Sequence, residues 1–468
     1  MTITTVPILL LVLVLAAVLV RLAVAVVRFV RLTPAARRHW LPARWHRLRW
    51  RWLSRNLGLA YLDQHRKLAR PVVPFGTSVK IRPVDMAAPA RLRFPRARFR
   101  PDEYGFTARV KTVPKVGLAE VEKAAPYLAD AWRCVRVSVA QPKPGRLLVR
   151  GLRRDPLTEP LSMADAPAGV YDQMPSARKL KFLVEGASAT TILRADQGAS
   201  GRKVFRLYLG RDEWGGHRFA LLANITGAVI AGMPGTGKTT LANSLLCQLA
   251  PSPAVRLAIA DGQGGADFEP WRHRAYAYAG DSRADAAGLL EDIHAEMRHR
   301  FATVLERTGH RNAWKTGPTE AFPLLFLVVD EAHGYLDESM AKGDKAAEAH
   351  VRTCRAMLGQ LVRRGRSVLI FSLILSQKPT SDAVPSFISA NAGLRLCFGV
   401  QTIDGAVSVL GETIREHPTL SPLTLQGPES VGVLTARLTT AGLPFTRLRV
   451  PEVSEEAADA RARELVSS

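Results

Sequence analysis

Two short stretches carry side chains whose types and spacing could do chemistry. The first is Gly232-Met233-Pro234-Gly235-Thr236-Gly237-Lys238-Thr239, followed by Thr240. It fits the G-x-x-x-x-G-K-[ST] pattern in full. Its three glycines let a backbone curl until its N–H groups converge on phosphate oxygens at a helix N-terminus. Lys238 would then reach the β- and γ-phosphates of ATP, and the Thr239 hydroxyl would ligate Mg²⁺. The second stretch is Asp330-Glu331, which closes the apolar run Leu324-Leu325-Phe326-Leu327-Val328-Val329. Asp330 would hold the Mg²⁺ through water, while Glu331 would orient and polarise the attacking water. A switch that only binds nucleotide can lack the second carboxylate, so the pair points to hydrolysis. His333 follows closely and reads as a structural or solvent residue.

These residues need elements to position them. Gly227 to Ala231 reads as a short buried strand before the loop. Leu241, Leu245, Leu246 and Leu249 fall at helical spacing after it. Strand, glycine loop, helix is the context that a phosphate loop requires. The run ending at Asp330 suits a parallel strand buried on both faces, and ligands collect at the carboxyl ends of such strands. Val255 to Ala260 is another strand, ending in a turn that opens with Asp261. Leu289, Leu290, Ile293, Met297, Phe301, Val304 and Leu305 mark a long amphipathic helix. Ser367 to Leu375 is a strand whose tip, Gln377, can touch a γ-phosphate and report its hydrolysis. Leu207 to Gly210 and Phe219 to Leu222 precede the loop as strands, and Leu394 to Val400, Ser430 to Ala436 and Phe445 to Val450 supply later ones. The alternation predicts an α/β fold: a P-loop, RecA-like, mostly parallel sheet flanked by helices.

The chain has 468 residues, enough for two or three domains. Its four cysteines lie far apart with no C-x-x-C, which argues against a disulfide or zinc framework. The net charge is +24, but residues 28–100 carry 19 Lys and Arg against Asp63 and Asp85 alone. The excess is a collar and does not by itself establish DNA binding. Before it, Val6 to Val20 and Leu22 to Val27 are almost purely apolar around Arg21. That is long enough to cross a bilayer if Arg21 snorkels, and the arginines that follow place their side in the cytoplasm. Trp40, Trp45, Trp50 and Trp52 sit among those arginines. They suit anionic headgroups better than nucleic acid. The expected organisation is a transmembrane anchor at 1–30, a basic juxtamembrane collar and linker at 31–103, and a small α/β scaffold domain at 104–200. The motor follows at 201–450 and a helical tail at 451–468.

Several further motifs, taken in order, resemble the FtsK/SpoIIIE DNA-translocase ATPases, close to the plasmid-transfer TraB type. Besides the loop and Asp330-Glu331 they are Glu296-Met297-Arg298-His299-Arg300-Phe301, Gly309-His310-Arg311-Asn312, Arg364-Gly365-Arg366, Ser376-Gln377-Lys378-Pro379, and Asn391 with Arg395. The resemblance covers roughly residues 204–450. It implies a membrane-anchored homohexamer around double-stranded DNA, with an arginine, Arg366 or Arg395, completing the neighbouring subunit's site. The resemblance has two departures: the loop reads Pro-Gly-Thr-Gly-Lys-Thr where the family usually has Thr-Gly-Ser-Gly-Lys-Ser, and the tail from Pro451 shows no helix-turn-helix pattern. A type VII-like protein-secretion ATPase and a nucleotide-gated membrane scaffold are the competing expectations.

Overall fold

The computed structural model describes residues 16, 19–20, 22–63, 91–163, 206–265, 267–377, 385–438 and 445–464. It forms two compact units, Met1–Asp155 and Pro156–Ser468. Most of the apolar N-terminal stretch lies outside the described residues. Among those described, no helix is long and apolar enough to cross a membrane.

The first unit is built on helix α1 (Trp40–Asn56), strands β1 (Arg96–Pro101) and β2 (Gly105–Lys111), helix α2 (Leu118–Trp132), and the hairpin β3 (Arg136–Lys143) and β4 (Arg146–Leu152). The four strands form an antiparallel sheet in the order β1-β2-β4-β3. Strict alternation sends Phe106, Ala108, Val110, Leu147 and Val149 to one face, where Trp50, Leu53, Leu128 and Trp132 of the two helices cover them. Helix α2 starts at Gly117, whose N–H donates to the Glu120 carboxylate at 2.7 Å. It ends at Arg133 in the left-handed region, with φ 53°.

Two sequence expectations differ here. Residues 96–101, read as linker, are a strand, because Ala97 and Phe99 alternate inward between arginines. Trp50, read with its neighbours as a headgroup residue, is buried, and its Nε1 donates to the Pro95 carbonyl at 2.7 Å. Only the outward positions of α1 leave tryptophan exposed, at Trp45 and Trp52.

The second unit carries a ten-stranded sheet. Its elements are β5 (Arg206–Asp212), β6 (His217–Leu221), β7 (Gly227–Ala231), α3 (Lys238–Leu249), β8 (Val255–Asp261), β9 (Ala275–Ala279), α4 (Arg283–Thr308), β10 (Leu324–Asp330), α5 (Lys345–Arg364), β11 (Ile370–Ser376), β12 (Leu394–Cys397), α6 (Ile403–Leu410), β13 (Val433–Leu438), β14 (Thr446–Arg449) and α7 (Glu455–Glu464). The order is β9-β8-β10-β11-β7-β12-β13-β14-β5-β6. The six strands from β9 to β12 run parallel, and the remaining four add antiparallel to the β12 edge. Every residue of β7, β10 and β11 is buried, as central strands covered on both faces require. The register aligns Asp261 with Asp330 and Ser376 with Ala231, so four carboxyl ends meet along one edge.

The Glu296–Arg300 motif explains part of that alignment. Arg300 is 1% exposed; its Nε donates to Glu296 at 2.8 Å, and its Nη1 donates to the Pro323 and Val368 carbonyls at 2.8 and 3.1 Å. One guanidinium thus ties α4 to the amino ends of β10 and β11. A buried charge held this way is costly to break.

Stability of the first unit should depend on pH through His46. Its ring packs against Phe106 at 5.0 Å and Trp132 at 6.0 Å between centroids. Burial, reinforced by Arg153 and Arg49, pushes its pKa down to about 4 from 6.5. The unfolded chain therefore takes up a proton first as pH falls. The contribution is complete above about 6.5 and is lost as pH falls through about 4. His46→Phe keeps the packing and should flatten this loss in urea midpoints read by tryptophan fluorescence between pH 4 and 7. Equal slopes in the two proteins would refute a neutral, buried ring.

Candidate nucleotide-binding site

The phosphate loop leaves the end of β7 and is braced from both sides. The Met233 N–H donates to the Gly399 carbonyl at 2.9 Å, and the Gly432 N–H donates to the Thr236 carbonyl at 2.9 Å. Inside the loop, the Thr236 hydroxyl donates to the Met233 carbonyl at 2.7 Å. Glycine is demanded at two positions for different reasons. A Cβ on Gly232 would lie 2.5 Å from the Phe398 Cβ, and Gly235 has φ 73°, a conformation other residues rarely adopt. Pro234 and Gly235 form the exposed tip, while Gly237 caps α3.

Lys238 is 6% exposed. Its Nζ donates to the Gly232 and Met233 carbonyls at 3.0 Å each, which holds the ammonium across the loop mouth. Burial lowers its pKa; Glu331, Asp330 and Asp267 oppose that. The Thr239 hydroxyl donates to Asp267 at 2.9 Å. Thr240 is half-buried on the first turn of α3.

Asp330 ends β10 at 3% exposure, and its Oδ2 is buried without a hydrogen-bond partner among the described residues. Burial first, then the charges of Glu331, Asp261 and Asp267, raise its pKa to about 7. This orphaned oxygen, with the Thr239 hydroxyl across the loop, fits a hard divalent cation such as Mg²⁺, which takes oxygen ligands. The next residue turns sharply: Glu331 has φ 45° and ψ 48°. That left-handed backbone aims its carboxylate along the sheet edge, where Oε2 accepts from the Gln377 N–H at 3.3 Å. His333 Nδ1 lies 2.9 Å from the same oxygen, but out of hydrogen-bond alignment. Glu331, His333 and Gln377 line a cavity of about 490 Å³ together with Gln263, Asp281 and Arg283.

The fold thus gathers Gly232, Met233, Pro234, Gly235, Thr236, Gly237, Lys238, Thr239, Thr240, Asp330, Glu331 and Gln377 at one edge of the sheet. It does not bring either candidate arginine there within one chain. Arg366 is exposed on the turn before β11, at the opposite end of the strand from Gln377. Seven residues of strand put about 20 Å between them. Arg395 is partly buried and donates to the Ala390 and Ala392 carbonyls at 3.1 and 3.3 Å, closing the end of the short helix Ser386–Asn391.

Sequence reasoning missed Asp267. Asp261, read as a turn residue, does hold its turn, accepting from the Gln263 N–H at 3.2 Å; it is also fully buried and accepts from the Tyr278 hydroxyl at 2.8 Å. It closes an apolar strand as Asp330 does, and that shared pattern was the available signal. Asp267 sits in an irregular loop and offers none.

A glycine-braced anion cradle with a lysine after β7, and a buried Asp-Glu pair at the end of β10 with β11 between the two strands, is the arrangement of a P-loop ATPase site. No protein-family model matches the chain. DNA translocase FtsK of Helicobacter pylori J99 is 25% identical over 240 residues, which is 47% of this chain and 27% of that protein. FtsK of Streptomyces avermitilis is 24% identical over 249 residues, 47% of this chain and 25% of its own length. The chain therefore matches about a quarter of the length of these curated relatives. Among solved structures, the pCW3 conjugation coupling protein TcpA, with ATPγS, has a TM-score of 0.51 at 16% identity. That alignment covers 80% of this chain and 94% of TcpA, and it shows a shared fold. Over about half of its length the chain is similar to proteins named DNA translocase FtsK.

The raised pKa of Asp330 sets a pH dependence opposite to that of His46. The native state holds a proton that the unfolded chain releases near 3.8, so the contribution is full below about 4 and is lost as pH rises through about 7. Asp330→Asn should raise the urea midpoint at pH 8 and leave it little changed at pH 4.5. An equal shift at both values would contradict the buried-acid assignment.

Proposed function

We propose that the chain is a membrane-anchored, ATP-driven translocase of double-stranded DNA, acting as a homohexamer in conjugative transfer or chromosome segregation. The observation that carries the reading is the convergence of Lys238, Thr239, Asp330, Glu331 and Gln377 at adjacent strand ends, in a chain related to proteins named DNA translocase. The loop N–H groups and Lys238 bind the phosphates, the ammonium exchanging two carbonyls for phosphate oxygens. Mg²⁺ held at Thr239 and Asp330 would supply charge neutralisation on the phosphates. Glu331 takes the proton of the attacking water, its carboxylate placed by the Gln377 N–H at 3.3 Å and by His333 Nδ1 at 2.9 Å. Gln377 lies just past the end of β11, beside Glu331, where it can sense the γ-phosphate.

The exposure of Arg366 supports it as the arginine donated to a neighbouring subunit, since Arg395 is occupied by carbonyls of its own chain. The apolar stretch at residues 6–27, followed by arginines, supports a single anchor with the motor on the cytoplasmic side of the cell membrane.

Glu331→Gln should keep ATP affinity and lose about 10²–10⁴-fold in turnover; turnover near the original rate would remove Glu331 as the base. Lys238→Ala should lose nucleotide affinity, read by a fluorescent ATP analogue. Mixing inactive Lys238→Ala with inactive Arg366→Ala subunits should restore part of the turnover, because mixed interfaces pair an intact loop with an intact arginine; no recovery would exclude Arg366 from acting in trans. Linear duplex DNA should stimulate turnover in a manner lost as salt rises, and a DNA-indifferent rate would overturn the translocase reading.

A further inference from the structure

The first unit's sheet has a second face, and its composition is unlike the rest of the molecule. Alternation sends Phe106, Ala108 and Val110 to the covered side, so the intervening residues of each strand point away from the helices. Read across the register, Arg96 pairs with Lys111, Lys111 with Arg146, and Arg146 with Lys143. One cross-strand row is therefore basic on all four strands. In the next row Arg98 stands opposite Arg109. All six side chains are exposed. Among the described residues, none of them is in an ion pair. Asp102 lies at the far end of the face, where Arg150 already neutralises it at 3.3 Å.

Directly opposed like charges destabilise a sheet. A row of four, with a second pair beside it, is a cost that packing does not explain, since the apolar residues beside them on this face are only the half-buried Leu148 and the small Ala140. The charges sit on rigid strands, at intervals of about 6.8 Å along a strand and about 4.8 Å between strands. The full row spans about 14 Å, close to the roughly 12 Å that separates two phosphate backbones across a major groove. Four of the six are arginines, whose planar forks take phosphate oxygens bidentately.

We infer that this sheet face is a docking surface for the phosphate backbone of duplex DNA, separate from the nucleotide site and without base specificity. The inference deepens the translocase reading and rests on it for the identity of the polymer. An anionic membrane is the rival occupant, and the unit itself argues against it. Helix α1 packs Trp50 and Leu53 onto the covered face of the sheet. Its outward positions carry Leu41, Trp45, Leu48 and Trp52, exposed by 56–78%, with the Arg49 guanidinium over both tryptophan rings. That apolar, aromatic and basic stripe has the character of a helix lying at a bilayer surface. It is on the opposite side of the unit from the basic rows, so a membrane contacting α1 leaves the sheet face turned away from lipid.

The test uses the full chain in detergent, with Arg98→Gln and Arg109→Gln combined. Binding of a fluorescent linear duplex is measured without nucleotide at several salt concentrations. The variant should bind about tenfold more weakly at low salt, and its slope of log affinity against log salt should be shallower by about 1 to 2. Its thermal midpoint should stay level or rise, because a like-charge pair has been removed; this separates lost docking from lost folding. Unchanged duplex affinity and slope would overturn the inference. Loss of capture by phosphatidylserine vesicles with duplex binding intact would assign the face to lipid and overturn it too. If duplex DNA fails to stimulate ATP turnover while its binding still depends on these arginines, the translocase reading falls and the docking surface stands. If DNA stimulates turnover and the variant binds it normally, the reverse holds.

Discussion

A carboxylate removed from water and left with a bare oxygen is the constraint around which the motor is arranged. Asp330 and Asp261 end adjacent parallel strands, and neither can be solvated there. Burying such groups is unfavourable unless a cation or a proton meets them. Lys238, at the mouth of the loop, is held by carbonyls of its own loop. The sheet register is what creates this condition, because it sets Asp330 level with Asp261 at the ends of two buried strands. Arg300, far from the chemistry, holds that register by fastening the opposite ends of β10 and β11.

Much of this site was legible because its signals are local. The glycine loop, the strand before it and the helix after it are contiguous, and a fully apolar strand ending in two acids needs no tertiary information to notice. The parallel half of the sheet followed from the same alternation. What escaped depends on contacts between distant segments. Asp267 reaches Thr239 from an irregular loop. Arg395 looks free in sequence but spends its donors on a helix end. The strand Arg96–Pro101 was hidden because its outward residues are arginines and its flanks are prolines, which together read as linker.

The two units handle positive charge in opposite ways. In the motor, arginines are folded inward onto carbonyls, as with Arg300, Arg274 and Arg395, and serve as internal struts. In the first unit they are set out on a flat, rigid surface with their like-charge repulsion unrelieved. Among the described residues of 28–100, the excess charge thus lies largely on an aromatic helix and on an edge strand whose outward side faces away from it.

The brace on the phosphate loop has a consequence for how the molecule is made. The Thr236 carbonyl is held by Gly432, and Met233 by Gly399. A ribosome working from the amino end finishes the loop long before either partner exists. Until residues 399 and 432 emerge, the loop has only its own internal bonds and lacks both outer braces. The newborn chain therefore gains these two braces on the loop only after Gly399 and Gly432 have been made, when the first unit has had time to fold.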